Sequence, residues 1–475
     1  MKFYKIEIVL LIVLSQQIFS QIKYDKYFTN DALRIDYFHN GTKDSEKLSI
    51  DQLYQVSPWA GSHQNLIDTL NAGYYMIRVF DVKSNELIFS YGFSNFFNEW
   101  QTTQEAIDGA WKTLHETVLI PFPRKEVQVE FWRRDREEYF TKLIFNTRIN
   151  PQSYSINREK LAANVAVLDS IINGNYSQKV DLVIMGEGFK TREFDKFLRV
   201  AHSLSDTMFT ISPFKEYQQQ FNIYFVIQPS QDSGVDDPRR GIFRNTSLNA
   251  SFNTFDTQRY MMTYDTKSVN DIASIVPYDA VIILVNTETY GGGGIYNYYA
   301  CTSAFNKWSA YIYVHEFGHS FAGLDDEYYT SDVAYSDFHP VGTEPWEVNV
   351  TALLDPNNIK WEKFVDKGVP IPTPWDKEKY DKKSGEYREG FQALMKAKAP
   401  ESEVEKFKDK RQKWVDDFFA KHKYRGKIGA FEGAGYSSEG LYRPALNCIM
   451  FSKGLVGFDA VCKDAIERRI KFIIK

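Results

Sequence analysis

Cysteine is scarce in this chain: Cys301, Cys448 and Cys462 are the only three among 475 residues. Three cysteines cannot form a disulfide framework, and their scattered positions lack the paired spacing of a structural zinc site. The fold must therefore rest on apolar cores. In an oxidising compartment Cys448 and Cys462 are the pair expected to lie close in space, with Cys301 left over. A surplus of either charge is missing too. The 57 Lys and Arg nearly balance the 62 Asp and Glu, and a net charge of −5 gives no electrostatic case for binding nucleic acid. Long apolar runs are also lacking. Ile6 to Leu14 is interrupted by Glu7 and is too short to span a bilayer as a mature helix. No internal repeat is found.

What is present at the N-terminus has the layout of a targeting segment. Lys2 and Lys5 precede the short apolar run, and Ser20-Gln21 offers a small-residue cleavage point. Residues 1–20 are therefore expected to be a signal peptide, and the mature chain to be exported (secreted, periplasmic or at the cell surface) with no membrane segment. An apolar fraction of 43% and an aromatic fraction of 16% supply sizeable cores. The length predicts two or three packed units.

Residues 21–150 read as a β-rich N-terminal domain resembling a small sandwich. Tyr74 to Asp81 and Glu86 to Phe93 form one hairpin around Lys83-Ser84-Asn85. Val127 to Arg133 and Tyr139 to Thr147 form another around the charged turn at 134–137. Between them, Gln104 to Val118 has helical spacing of apolar residues. Asn150-Pro151 marks a boundary. From 151 to 475 the texture changes to α/β: a helix-like Arg158 to Ile172, an apolar strand from Lys179 to Met185, and a helix from Thr191, as N-cap, to Thr207. Apolar strands follow at Phe221 to Gln228 and Tyr278 to Asn286. The Lys- and Glu-dense stretch at about 375–425 reads as a solvated helical insertion. The fold class expected is a mixed α+β and α/β multidomain chain.

One motif carries chemistry: His315-Glu316-Phe317-Gly318-His319. On a helix, residues four apart share a face, so both imidazoles aim at one point and suit two vertices of a zinc site. Glu316 then reaches the open side of the metal as a general base. A third protein ligand is needed. Gly323 can end the helix in the left-handed conformation, where Ala322 does so poorly. An interval of three residues from that glycine selects Asp326; an interval counted from His319 selects Asp325. Asp326 ranks first, and Glu327 and His339 are weaker candidates. Gly291 to Gly294, just upstream, is either a flexible loop or a backbone segment that an extended peptide approaches by strand addition, with Gly292 and Gly293 as contacts. Asp236 and Asp237 before Pro238 could bind calcium, although a turn is the simpler reading.

The segment His315-Glu-Phe-Gly-His-Ser-Phe-Ala-Gly-Leu-Asp-Asp-Glu-Tyr328 resembles the IgA-peptidase family of bacterial metzincin-like zinc metallopeptidases. Asp181-Leu-Val-Ile-Met-Gly-Glu-Gly-Phe189, Ser233-Gly-Val-Asp236 and Tyr442-Arg-Pro444 reinforce the resemblance, which covers nearly the whole mature chain including a family-specific N-terminal domain. Asp325 departs from the pattern, standing where a small residue is expected. The resemblance implies a metzincin-like catalytic domain and a role for Met450, in Asn447-Cys448-Ile449-Met450, as the apolar floor beneath the metal. It also makes Tyr442 a candidate phenol for the oxyanion.

The expectation is thus a zinc endopeptidase acting on protein or glycoprotein substrates, with one catalytic zinc. The alternative is a cell-surface glycan- or protein-binding module with a vestigial metal site, against which the intact Glu316 argues. Nothing in the sequence encodes the substrate or the oligomeric state.

Overall fold

A computed structural model describes residues 22–475 apart from 57, 136–138, 160–163, 330–337 and 398. The expected signal segment and the Arg136-Glu137 part of the charged turn lie outside the described residues. In chain order, the N-terminal unit comprises α1 (Tyr24–Tyr27), β1 (Phe28–Gly41), β2 (Glu46–Val56), β3 (Tyr75–Asp81) and β4 (Leu87–Phe93). It continues through α2 (Phe96–Trp100), α3 (Gln104–Ile107), β5 (Lys112–Pro123), β6 (Val127–Arg134), β7 (Phe140–Ile149) and β8 (Ile156–Asn157). The strands form two four-stranded sheets, ordered β5-β1-β2-β8 and β4-β3-β6-β7. Ile35, Tyr37 and Val118 from the first meet Ile77, Val129 and Phe131 from the second in one core.

The helix expected over Gln104 to Val118 is a single turn, α3, after which the chain becomes β5. Apolar residues here satisfy both periods. The open edge of β1 decides, pairing Ile35 with Val118 and Leu33 with Ile120 along a long antiparallel ladder. The helix expected from Arg158 is also absent among the described residues: β9 (Ala166–Ile171) is an edge strand beside β11 (Phe221–Ile227).

The second unit is built on a six-stranded sheet ordered β13-β14-β12-β10-β11-β9, including β10 (Val180–Glu187), β12 (Ala280–Val285), β13 (Gly292–Ile295) and β14 (Tyr299–Ser303). β11, β10, β12 and β14 run parallel, and β13 and β9 close the two edges antiparallel. A fully buried strand such as β10 is apolar on both faces, as its continuous run requires. One face of the sheet carries α4 (Phe194–Met208), α6 (Ser309–Ala322) and α9 (Ala460–Ile474), packed through Ile184, Ile282, Phe317 and Ile466. The other face carries α5 (Thr266–Ala273) and receives Phe96, Phe97 and Trp100 of α2, so the two units share a core. Thr191 does not cap α4. It opens a 3-10 turn, and the Lys190 amide donates to Glu193 Oε2 at 2.9 Å.

The charged insertion is a pair of helices, α7 (Lys377–Lys396) and α8 (Glu401–Ala420). It is not solvated all round. The Tyr380 ring stacks on Trp414 at 5.5 Å, and Phe419 meets Phe451 at 5.6 Å. The hairpin of β15 (Ile428–Ala434) and β16 (Ser437–Ala445) follows. No helix among the described residues is long and apolar enough to cross a membrane.

Candidate active site

Helix α6 is apolar nearly all round and buried between the sheet and α9, which fixes the direction of its few polar side chains. It stops at Gly323, whose left-handed φ of 63° lets its amide donate to the His319 carbonyl at 3.0 Å. Beyond this turn, Asp326 comes back under the helix. Its Oδ1 lies 3.0 Å from His315 Nε2 and 3.3 Å from His319 Nε2, and the two Nε2 atoms are 3.2 Å apart. Asp325 points elsewhere. Its Oδ2 sits 2.6 Å from His339 Nε2, and Asn349 clasps its amide and carbonyl at 2.8 and 2.9 Å.

Both imidazoles are fixed from behind. His315 Nδ1 faces the Ile449 carbonyl at 3.0 Å and His319 Nδ1 the Leu324 carbonyl at 2.5 Å. A ring that donates from Nδ1 to a carbonyl presents the lone pair of Nε2, the tautomer a metal requires. The Ile449 carbonyl belongs to the turn ending at Met450, which is fully buried. Its sulfur packs under Gly318, 3.2 Å from where a Cβ there would stand. Glu327 turns away from the histidines, its amide donating to the Met450 carbonyl at 2.9 Å.

Three donors at edges of 3.0 to 3.3 Å fit a tetrahedral ion. Zn–N and Zn–O distances of about 2.0–2.1 Å place neighbouring ligands about 3.3–3.4 Å apart. Asp326 Oδ1 is buried and, with both Nε2 atoms presenting lone pairs, meets no donor among the described residues, so it adds an acceptor that needs a cation. Burial opposes the charged form of His319, but Asp326, Glu316 and the Leu324 carbonyl carry its pKa up to about 10. Asp326 is held well below the usual carboxylate range: burial would raise it, and His319 and His315 overcome that. Glu316 shares the cluster with both histidines, and burial raises its carboxyl above the ordinary value.

The cleft above these groups encloses about 440 Å³ and has walls from both units. Arg133, Arg134 and Lys142 come from the N-terminal unit; Arg259, Tyr328 and Tyr436 come from the other. Tyr436 escapes the sequence reading. It sits on the β15–β16 turn with φ of 63°, and its hydroxyl donates to Asp326 Oδ2 at 2.6 Å. Tyr442, the expected phenol, lies elsewhere: its backbone pairs with Thr351 and its side chain packs against the cluster that includes Ile359, Trp361 and Ile428. Arg443 holds the Tyr436 turn, donating to the Gly433 carbonyl at 2.6 Å. Arg259 also had no local signature; it donates to the Tyr328 hydroxyl at 3.0 Å.

The glycine run is a strand, β13, on the edge of the sheet. Gly292 and Gly294 face α6, where Cβ atoms would come 3.2 Å from Glu316 Cγ and 2.3 Å from the Glu316 carbonyl oxygen. Glycine is thus what lets β13 lie against α6. The outer edge at Gly292 is already used, its amide and carbonyl bonding Arg259 and Met261. Asp236 and Asp237 flank a 3-10 turn, with Asp236 accepting from the Arg244 amide and Asp237 paired with Arg240.

Comparison with known families assigns both units. The description "IgA Peptidase M64" matches residues 168–470, and "Peptidase M64 N-terminus" matches residues 23–145. No curated protein matches the chain. With the His-Glu helix, the returning Asp326 and a two-walled cleft in place, this chain belongs to the IgA peptidase M64 family, and so to the metallopeptidases.

Proposed function

We propose that the chain is an exported zinc endopeptidase of the metzincin type, cleaving protein or glycoprotein chains laid extended in the cleft. The observation that carries this is the shared posture of His315 and His319: each spends Nδ1 on a backbone carbonyl and turns Nε2 toward Asp326 Oδ1. These three residues would hold the ion. A zinc ion there supplies a Lewis acid for the scissile carbonyl and lowers the pKa of water to about 7. Glu316 takes a proton from the attacking water and delivers it to the leaving amine. The glycine turn before Asp326 and the buried Met450 beneath α6 support the metzincin reading.

Substrate would lie along β13. In an antiparallel edge strand, outward-facing amide and carbonyl groups alternate. Gly292 uses its pair on the chain itself, so Gly294 is the next residue able to hydrogen-bond an extended peptide. Lys2, Lys5 and Ser20-Gln21 support export.

The deciding experiment compares wild type with Glu316→Gln, both folded and metal-loaded, on a peptide library. Hydrolysis is expected to fall by about 10²–10⁴ in the variant. Undiminished cleavage, or activity that persists after a chelator has stripped all metal, overturns the reading. Sequencing the mature N-terminus tests export, with Gln21 expected first.

A further inference from the structure

Helix α9, the Met450 turn and the loop after Asp326 meet in a second cluster of ligand-type side chains. One ligand atom each from Glu327, Cys448, Asp459 and Cys462 lies within 4.8 Å of all the others. The spacing of the cysteines in sequence gave no sign of this, because Glu327 and Asp459 arrive from elsewhere. Glu327, Cys448 and Cys462 are fully buried.

We propose that these four residues form a second, structural metal site, taking zinc or a similar thiolate-preferring divalent ion. The distances match such a site. Zn–S bonds of about 2.3 Å in a tetrahedron put two sulfurs about 3.8 Å apart, and a sulfur and a carboxylate oxygen about 3.6 Å apart. Cys448 Sγ and Cys462 Sγ are separated by 3.9 Å. Cys462 Sγ lies 3.3 Å from Glu327 Oε1 and 3.6 Å from Asp459 Oδ2.

An independent observation points to a cation. Glu327 Oε2 is buried and meets no hydrogen-bond donor among the described residues. Oε1, the oxygen 3.3 Å from Cys462 Sγ, also accepts from Asn349 Nδ2 at 3.1 Å, a contact that orients the carboxylate toward the cysteines. Asp459 divides its two oxygens. Its Oδ1 caps α9 by accepting from the Val461 and Cys462 amides at 2.7 and 3.0 Å, and its Oδ2 faces the cluster. Cys462 lies in the first turn of α9, where burial, the Cys448 hydrogen bond and Asp459 hold its thiol well above the ordinary range, so a bound ion would displace its proton. The cation on this side, Arg443, is engaged with the carbonyls of Glu432 and Gly433. Closed four-coordination with sulfur ligands is the pattern of a structural ion, and its binding would release the two thiol protons.

The site would brace the catalytic one. Glu327 follows Asp326 directly, and Cys448 precedes Ile449, whose carbonyl orients His315. The proposal stands apart from the peptidase reading, and its test keeps the two separate. Metal content of the full chain is measured for wild type and for a His315→Ala/His319→Ala variant. Two zinc ions per chain are expected in wild type and one in the variant. Cobalt(II) in that variant should show thiolate-to-cobalt charge-transfer absorption in the near ultraviolet, which His and carboxylate ligands do not give. A mercurial titrant added to folded wild type should release one zinc as it consumes Cys448 and Cys462, so the test does not depend on a cysteine variant folding. A His variant that is folded but metal-free overturns the proposal. So does an intact mass showing Cys448 and Cys462 joined as a disulfide.

Discussion

The Tyr436 hydroxyl donates to Asp326 Oδ2 at 2.6 Å, while Asp326 Oδ1 faces His315 and His319. The phenol thereby fixes which oxygen of the carboxylate is presented to the ion. Tyr436→Phe removes that bond and leaves the fold intact. Metal affinity is expected to fall by about 10–100-fold, the usual cost of losing a group that orients a ligand. Competition against a chromogenic chelator measures it. Unchanged affinity would show that Asp326 is held by the loop alone.

Removal of the ion has a pH signature. With the ion removed, burial opposes the charged form of His319, but Asp326 is expected to push its pKa up to about 10, leaving it protonated at neutral pH. An incoming ion must displace that proton. Apparent affinity should therefore rise with pH toward about 10, and each ion taken up at neutral pH should release close to one proton from this site. Calorimetry in buffers of different ionisation enthalpy counts the protons. A pH-independent affinity would contradict the pairing.

β13 can be pushed off the helix without touching a ligand side chain. Gly294→Ala places a methyl 2.3 Å from the Glu316 carbonyl oxygen, so backbone must move. The expected outcome is a chain that still binds metal at His315, His319 and Asp326 but loses peptide hydrolysis at least tenfold, chiefly through KM. Loss of metal together with activity would instead place the damage in α6.

The N-terminal unit carries its own pH dependence. His39 lies between Glu116 and Glu46, at 2.9 and 3.0 Å. Burial opposes the imidazolium, but Glu116 and Glu46 raise the pKa of His39 above 6.5. Glu46 moves oppositely: burial would raise it, yet the His39 hydrogen bond and Arg133 bring it from 4.5 to about 2. Stability from Glu46 is complete above 4.5 and is lost as pH falls toward 2; that from His39 is complete below 6.5 and is lost as pH rises through its raised value. The trio should stabilise most between these limits. His39→Gln leaves buried Glu116 without its cation and Glu46 with Arg133 alone, at a cost of about 3–5 kcal/mol. Thermal unfolding across pH checks both claims: the variant should lose stability most between pH 4.5 and 6.5.

The parts legible from sequence are those whose cause is local. Gly323 marked the end of α6 because a left-handed residue was needed there, and the turn counted from it led to Asp326. The hairpin at Lys83-Ser84-Asn85 and the apolar run of β10 were equally plain, since alternation and full burial write themselves into the residues. What stayed hidden depends on distant partners. β5 is a strand because β1 pairs with it, although its apolar residues fit a helix as well. Tyr436 reaches Asp326 from a hairpin 110 residues further on, in which Arg443 bonds the Gly433 carbonyl. Asp325 looked like a rival ligand until His339, 14 residues away, claimed it.

The cleft wall formed by Arg133, Arg134 and Lys142 belongs to a unit that supplies none of the proposed ligands. On the proposed reading, hydrolysis and contact with the rest of a substrate would fall to separate parts of the chain. Substitutions along that wall would then change which proteins are cut while α6 and its proposed ligands stay as they are.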